Sequence, residues 1–208
     1  MYEQFKARAE GVSAEVHRVA TRPAAVDFIS GFLKEAGVAD VPQSYALWAA
    51  CPFLDGIDRQ PLQEVAGLKF AVTRELAAAA KIGISQVSWA LADTGTLVQD
   101  STAVEQRLVS SLPEIHIALV ATAAILPDMP TLLARMHPGP ARQDKCANEV
   151  VSCQKSAENN FYRTNNSRYI AMITGPSRTA DIERVLTIGV HGPSRLVIVF
   201  CDELGGAN

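Results

Sequence analysis

Hydrophobic positions along the chain recur with two periods. Phe5, Ala9, Val12, Val16 and Val19 are spaced by four, three, four and three residues. That spacing predicts one stripe of an amphipathic helix, with Glu3, Lys6, Glu10 and Arg18 around it. A second helix is predicted from Thr21 as N-cap, with Pro23 in its first turn and Val26, Ile29, Phe32 or Leu33, and Ala36 on its apolar face. Further helices are expected near 73–82, 129–136 and 180–188. In the first, Thr73 is the cap and Arg74–Lys81 the body, stopping at Gly83; in the second, Asp128 and Pro130 start the turn. Between them lie short runs of strand character: Tyr45–Ala50, the alternating Val87, Trp89 and Leu91 that resumes at Leu97-Val98, Ile115–Val120, 168–174 and Leu196–Cys201. Strands alternating with helices predict an α/β domain of three layers around a largely parallel sheet. Residues 1–40 read as an N-terminal helical extension and 41–208 as the α/β domain.

Two stretches break the alternation. Cys51 to Gly67 holds Pro52, Asp55-Gly56 and Pro61 and reads as a long surface loop. His137 to Arg168 is polar, carries Pro138-Gly139-Pro140 and four asparagines (Asn159, Asn160, Asn165, Asn166), and reads as a mobile excursion or crossover. Immediately after it, Tyr169 to Pro193 predicts a strand, a break at Gly175-Pro176, and a helix capped by Ser177 or Thr179 and closed by Gly189 and Gly192-Pro193. That order is half of a βαβ unit, and α/β proteins gather ligands at such turns because unpaired backbone N–H groups point outward there.

Composition narrows the partners. Of 208 residues, 48% are hydrophobic and 20% charged, with a net charge of −3 and no Lys/Arg block, so nothing points to nucleic acid. The charged opening residues lack the apolar core of a signal peptide. The longest apolar run, Ile115–Leu126, has twelve residues, short of the ~20 that span a bilayer as a helix. A cytoplasmic protein without a membrane span is expected. The four cysteines (Cys51, Cys146, Cys153, Cys201) form no CxxC, so neither a zinc site nor an iron–sulfur ligand run is predicted. Cys201 reads as a buried apolar residue. Cys146 and Cys153 are free thiols, a disulfide, or incidental.

Motifs of the P-loop, dinucleotide-binding, α/β-hydrolase and zincin kinds are absent, and no cofactor is predicted. Three turns remain. Asp93-Thr94-Gly95-Thr96 offers a carboxylate, two hydroxyls and a glycine suited to φ > 0; it either contacts a ligand or satisfies its own backbone. Gly175-Pro176-Ser177-Arg178-Thr179-Ala180-Asp181 suits an anionic ligand through its hydroxyls, Arg178 and the predicted helix N-terminus. Asp181 opposes that reading by already occupying the positive helix end, unless it pairs with Arg178; the alternative is a capped helix with a surface Arg–Asp pair. Gly189-Val190-His191-Gly192-Pro193 exposes His191, an acid–base candidate or a bystander. His116, within a strand, reads as a hydrogen-bonded interior residue, and His17 and His137 are not singled out.

At these same turns the chain resembles the LUD-domain family, and within it the lactate utilization protein C branch. The residues that carry the likeness are ADTGT (Ala92–Thr96), RLVSSLPEIHIALV (Arg107–Val120), GPSRTADIE (Gly175–Glu183) and GVHGP (Gly189–Pro193), in the family's order. The family pattern usually has Glu at the place of Asp93. The resemblance implies an α/β fold similar to the ribose-phosphate isomerase and coenzyme A transferase group. It further implies a cluster-free subunit of a bacterial system that oxidises L-lactate to pyruvate beside iron–sulfur companion proteins. Two other readings stay open. One is a stand-alone enzyme on a small anionic or acyl substrate, with Asp93 as nucleophile or base, Arg178 and Thr179 holding the anion, and His191 nearby; it predicts that the three turns converge. The other is an interaction module that docks through its N-terminal helix.

Overall fold

The structure is a computed structural model, and it describes residues 1–136, 169–180, 186–188 and 191–204, the last segment of β10 and all of β11 as backbone alone. In chain order the helices are α1 (Tyr2–Gly11), α2 (Arg22–Glu35), α3 (Gln60–Gln63), α4 (Arg74–Ala78), α5 (Val104–Ser111) and α6 (Met129–Met136). The strands are β1 (Glu15–Val19), β2 (Tyr45–Trp48), β3 (Leu68–Lys69), β4 (Ala80–Gln86), β5 (Trp89–Leu91), β6 (Thr96–Asp100), β7 (Ile115–Ala121), β8 (Ile125–Leu126), β9 (Ile170–Ile173), β10 (Arg178–Ala180), β11 (Leu186–Ile188) and β12 (Arg195–Cys201).

A six-stranded sheet in the order β1-β12-β7-β4-β2-β3 forms the centre, and each neighbouring pair in it is parallel. Its middle strands β7 and β12 are continuous apolar runs, as a sheet covered on both faces requires. Successive residues of β1 show the two layers, since side chains alternate across a sheet. The His17 ring packs 4.7 Å from Phe28 of α2, whereas Arg18 lies over the Tyr2 ring of α1 at 5.1 Å. Phe5 of α1 and Phe200 of β12 meet edge to face at 5.1 Å, near the best geometry for an aromatic pair. A smaller sheet, β8-β5-β6-β9, is antiparallel except where β5 and β8 run together. The three-layer, largely parallel architecture predicted from the alternation is what the chain adopts.

Several elements differ from the sequence reading, each for a visible reason. The predicted stripe from Phe5 to Val19 is helical only to Gly11; Ser13 turns the chain at φ 69°, and Glu15–Val19, with β-branched Val16 and Val19, becomes an edge strand paired with β12. Both ends of β1 are tied to β12 or its exit, by Glu15–Arg195 and by Arg18 Nε to Asp202 Oδ1 at 2.9 Å. Helix α4 stops at Ala78, and Gly83, read as its stop, lies mid-strand in β4. A Cβ there would fall 1.9 Å from the Val109 carbonyl oxygen, so glycine serves close helix–sheet approach. The expected loop from Cys51 to Gly67 contains a 3-10 turn at Pro52–Leu54 and α3, and it buries Phe53, Leu54, Leu62 and Val65.

The largest correction falls on Tyr169–Pro193. Its first strand is β9, but among the described residues after it there is no helix. Arg178–Ala180 and Leu186–Ile188 pair as antiparallel strands, Thr179 opposite Thr187 and Arg178 opposite Ile188. Threonine and isoleucine favour that geometry, and the Ser177 N–H donates to Pro193 O at 2.8 Å, which ties the entrance of β10 to the 191–194 turn. Asp181, Gly189, Val190, His137, Cys146 and Cys153, with the rest of the 137–168 segment, lie outside the described residues.

Candidate functional site

Where the predictions hold, caps place the elements. Thr21 Oγ1 accepts the Ala24 N–H at 3.3 Å, Thr73 Oγ1 the Leu76 N–H at 3.2 Å, and Asp128 Oδ1 the Thr131 N–H at 2.9 Å. These fix the starts of α2, α4 and α6.

The turn Asp93–Thr96 joins β5 to β6, and Gly95 takes φ 69°. An added Cβ there would lie 2.6 Å from Ala9 N and 2.9 Å from Arg8 C, so the turn rests directly on the α1 backbone. Asp93 and Thr94 are exposed, with the Thr94 hydroxyl 3.2 Å from Asp93 Oδ1, while Thr96 is buried. Thr96 Oγ1 and Thr174 Oγ1 share a hydrogen bond of 2.8 Å, which ties this turn to the next.

Gly175 adopts φ 77°, and a Cβ on it would lie 2.8 Å from Val12 O. Arg178 reaches the same corner: Nη2 donates to Val12 O at 2.7 Å and to the Ser13 hydroxyl. Ser177 bonds Pro193 through its backbone N–H, and Gly192 lies against its side chain, 3.5 Å from where a glycine Cβ would stand to Ser177 Cβ. Ser194 N in turn donates to Glu114 O at 2.8 Å. His191 is exposed. Thus Thr96, Gly175, Ser177, Arg178 and the 191–194 turn form one connected assembly around the end of α1. Thr174, Val12 and Ser13 belong to it and were missed. Thr174 adjoins Gly175, but no local signal marks Val12 or Ser13, because they meet Arg178 only through the fold.

The assembly has a definite position. It surrounds the entrances to β1, β7 and β12, the amino-terminal edge of the parallel sheet. With Arg178–Ala180 a strand, the helix N-terminus expected at Ser177 or Thr179 is not there and that part of the anion argument falls away, while Arg178 is engaged in holding the α1–β1 corner. Ligands of open α/β sheets gather at the opposite, carboxyl-terminal edge. Two clefts lie there. One, of about 320 Å³, is lined by Arg22 and Glu203, which follow β1 and β12, together with Val26, Ile57 and Pro61. Its Arg22 N–H donates to Glu203 Oε2 at 2.7 Å, and the Arg22 guanidinium holds the carbonyl oxygens of Phe53 and Asp55.

The second cleft, of about 350 Å³, opens where β2 and β3 end, between Trp48, Cys51, Leu54, Asp55, Arg59 and Phe70. A column of rings builds its wall. Phe53 and Trp48 stack at 5.7 Å, Trp48 and Phe70 at 6.3 Å, and each end carries a guanidinium: Arg22 at 5.5 Å over Phe53 and Arg59 at 5.6 Å over Phe70. Such cation–π contacts contribute about 0.5–2 kcal/mol each, more where desolvated. The Gln86 side chain anchors the column by accepting the Phe53 N–H at 2.8 Å. Trp48 is fully buried and its Nε1 has no hydrogen-bond partner, an omission that costs about 1–3 kcal/mol. Burial pushes the Cys51 thiol pKa up; the Trp48 N–H and the backbone N–H groups of Leu54 and Phe53 pull it partly back. The indole therefore faces the sulfur, although the contact falls short of hydrogen-bond geometry. Nothing in the sequence joins Arg22, Trp48, Phe53, Arg59 and Phe70, because they come from separate segments without a shared period.

His116 on β7 is fully buried, its Nε2 2.8 Å from Ser85 Oγ on β4 and its Nδ1 unpartnered. Desolvation pushes its pKa down to about 4. Among the described residues no group of three or more His, Cys, Asp or Glu is placed to hold a metal ion, and no helix is long and apolar enough to cross a membrane.

The LUD domain profile matches residues 2–201, and the chain belongs to the LUD domain family. It is similar to "Lactate utilization protein C 1" of Bacillus mycoides, 31% identical over 62% of this chain and 47% of that protein. It is also similar to "Lactate utilization protein C" of a Geobacillus species, 34% identical over 60% of this chain and 43% of that protein, and to the Escherichia coli protein YkgG, 29% identical over 60% and 45%. The chain thus spans about half the length of the curated relatives it matches. A DUF162 family protein from Deinococcus radiodurans shares the fold, with TM-score 0.54 and 17% identity over 96% of this chain and 95% of that one.

Proposed function

We propose that this chain is a cluster-free subunit or accessory protein of a cytoplasmic system that oxidises L-lactate to pyruvate together with iron–sulfur partner proteins. The observation that supports it most is the LUD domain match over residues 2–201, joined to several relatives called lactate utilization protein C. Converting L-lactate to pyruvate removes two electrons and two protons. The chain's four cysteines have no cluster-ligand spacing, so in this reading the electrons leave through the partners and the chain serves the substrate side. The test is growth of a strain lacking this chain on L-lactate as sole carbon source. Loss of growth, restored by the wild-type chain, is expected; normal growth would sink the assignment.

A second reading has one observation in its favour, the hydrogen-bonded connection of the Asp93–Thr96, Gly175–Arg178 and 191–194 turns. In it the assembly acts on a small anionic or acyl substrate, with exposed Asp93 as nucleophile or base and His191 nearby. Thr94, Gly95, Thr96, Gly175, Ser177, Arg178, Thr179 and Asp181 would contact the ligand. If so, Asp93→Asn abolishes complementation of the deletion strain while the folded protein accumulates normally; full complementation by Asp93→Asn removes this reading.

A further inference from the structure

Residues Asp55–Arg59 divide the two clefts. Gly56, Ile57 and Asp58 line the one beside α2, and Asp55 and Arg59 line the one beside Trp48. The stretch hangs between buried anchors, Phe53 and Leu54 before it and Leu62 after it. Between those anchors the chain is loosely held. Asp55, Gly56, Asp58 and Arg59 are exposed and Ile57 is half-buried. No backbone N–H from Gly56 to Arg59 has a hydrogen-bond partner among the described residues. Gly56 takes φ 69°, and a Cβ on it would meet nothing within 4 Å, so glycine here serves the turn of the backbone and not close packing. Exposed backbone with few buried contacts opens locally, at less cost than global unfolding.

Each end of the stretch is tied by one arginine. At its far end Arg59 lies over the Phe70 ring and bonds Leu54 O at 3.1 Å. At its start the tie comes from Arg22, in the first turn of α2. Arg22 Nη2 donates to Phe53 O and, at 2.6 Å, to Asp55 O, and the guanidinium lies over the Phe53 ring. The Arg22 N–H donates to Glu203, so this one residue joins the exits of β1 and β12 to the stretch between the clefts. Both carbonyls are neutral, and Arg22 Nε is buried without a partner. The hold therefore lacks the strength of a guanidinium paired with a carboxylate.

We propose that Asp55–Asp58 is a strap latched by Arg22, and that release of the Arg22–Asp55 bond swings the strap outward and joins the two clefts into one. Phe53 and Leu62 stay in the core while this happens, and the parallel sheet stays folded. Taken singly the clefts, of about 320 and 350 Å³, are at the small end of the ~300–1,000 Å³ typical of ligand sites. With the strap open, the carboxyl-terminal edge presents one larger opening that runs from α2 to Trp48. Arg22 is a positioning residue in this account, since it sets the strap and touches no ligand.

The test is native-state amide exchange of the whole chain at low urea concentrations. It is read at Asp55, whose N–H donates to Pro52 O at 3.1 Å, and at Val199 in the middle of β12 as the measure of global unfolding. Asp55 is expected to be protected at least about a hundredfold less than Val199, with a rate insensitive to urea because little surface is exposed on opening. Arg22→Met keeps hydrocarbon on the Phe53 ring, removes both bonds, and is expected to speed Asp55 exchange about tenfold. Arg22→Lys keeps the charge on a shorter arm and should fall between. Cys51, which lines the cleft beside Trp48, reports on the joining of the clefts. In a chain carrying Cys146→Ser and Cys153→Ser, with Cys201 buried, Arg22→Met should speed alkylation of Cys51 by N-ethylmaleimide. Loss of a nearby positive charge would itself slow that reaction by disfavouring the thiolate, so a faster rate reports opening. Protection of Asp55 equal to that of Val199, with the same urea dependence, overturns the strap, because it then opens only when the chain unfolds. An unchanged Asp55 rate in Arg22→Met overturns the latch, and unchanged Cys51 alkylation overturns the joining of the clefts. Should Arg22→Met fail to fold, Arg22→Lys and the urea dependence of the wild-type chain decide.

Discussion

Replacing His116 by Gln should flatten the pH dependence of stability in a narrow window. The imidazole is fully buried, and burial holds its folded pKa at about 4, against 6.5 for the ordinary side chain. The folded state therefore keeps His116 neutral, while the unfolded chain takes up a proton as pH falls below 6.5. Unfolding binds that proton, so stability is complete above the unfolded value and declines as pH drops, until the folded-state value is passed. From pH 7 to pH 5 the difference amounts to about 2 kcal/mol, and the full separation of the two pKa values to about 3.4 kcal/mol. Stopping at pH 5 matters, because the carboxylates of Glu15, Asp128 and Asp202, whose folded pKa values are held down by Arg195, Thr131 and Arg18, contribute losses of the same sign only lower. The assay is urea unfolding of wild type and His116→Gln at pH 7.0 and 5.0. Wild type should lose about 2 kcal/mol more than the variant between the two. Equal losses would refute the burial argument for His116, since no other term distinguishes the proteins.

Other consequences follow from the turn assembly and the core. Gly95→Ala places a Cβ 2.6 Å from Ala9 N at φ 69°, and should cost about 2 kcal/mol or more from strain and overlap together, seen as a lowered urea midpoint with unchanged slope. Thr96→Val removes the hydroxyl that meets Thr174 at 2.8 Å, and should cost about 1 kcal/mol and speed amide exchange in β9 first. Phe200→Ala deletes a fully buried ring that meets Phe5 and Tyr2, and should cost about 3–5 kcal/mol in the same unfolding assay.

The alternation of short apolar runs with capped helices was enough to read the layered, parallel architecture, because buried strands and N-caps announce themselves locally. Thr21, Thr73 and Asp128 each cap as their residue types demand. The failures share one cause: tertiary pairing overrode a local period. Val16 and Val19 continue the helical stripe of Phe5 and Ala9, yet an open edge on β12 draws them into a strand. Gly83 has the look of a helix stop until the approach of Val109 is known. The 178–188 segment has helical spacing at Ile182, Val185 and Leu186, but Thr179, Thr187 and Ile188 serve a ladder equally well. For the candidate site, the three turns were visible as glycine punctuation, and their connection is real. Their place at the amino-terminal edge was not readable, nor was the ring column capped by Arg22 and Arg59, because both depend on which strand lies beside which.

The central claim is that this chain takes part in L-lactate oxidation without carrying the clusters itself. The most direct measurement is L-lactate-dependent pyruvate formation in extracts of a strain lacking only this chain, with and without the purified protein added back. Formation should fall on deletion and return when the protein is supplied, with the iron–sulfur partners recovered on it in a pull-down. Pyruvate formation unchanged by the deletion would contradict the account.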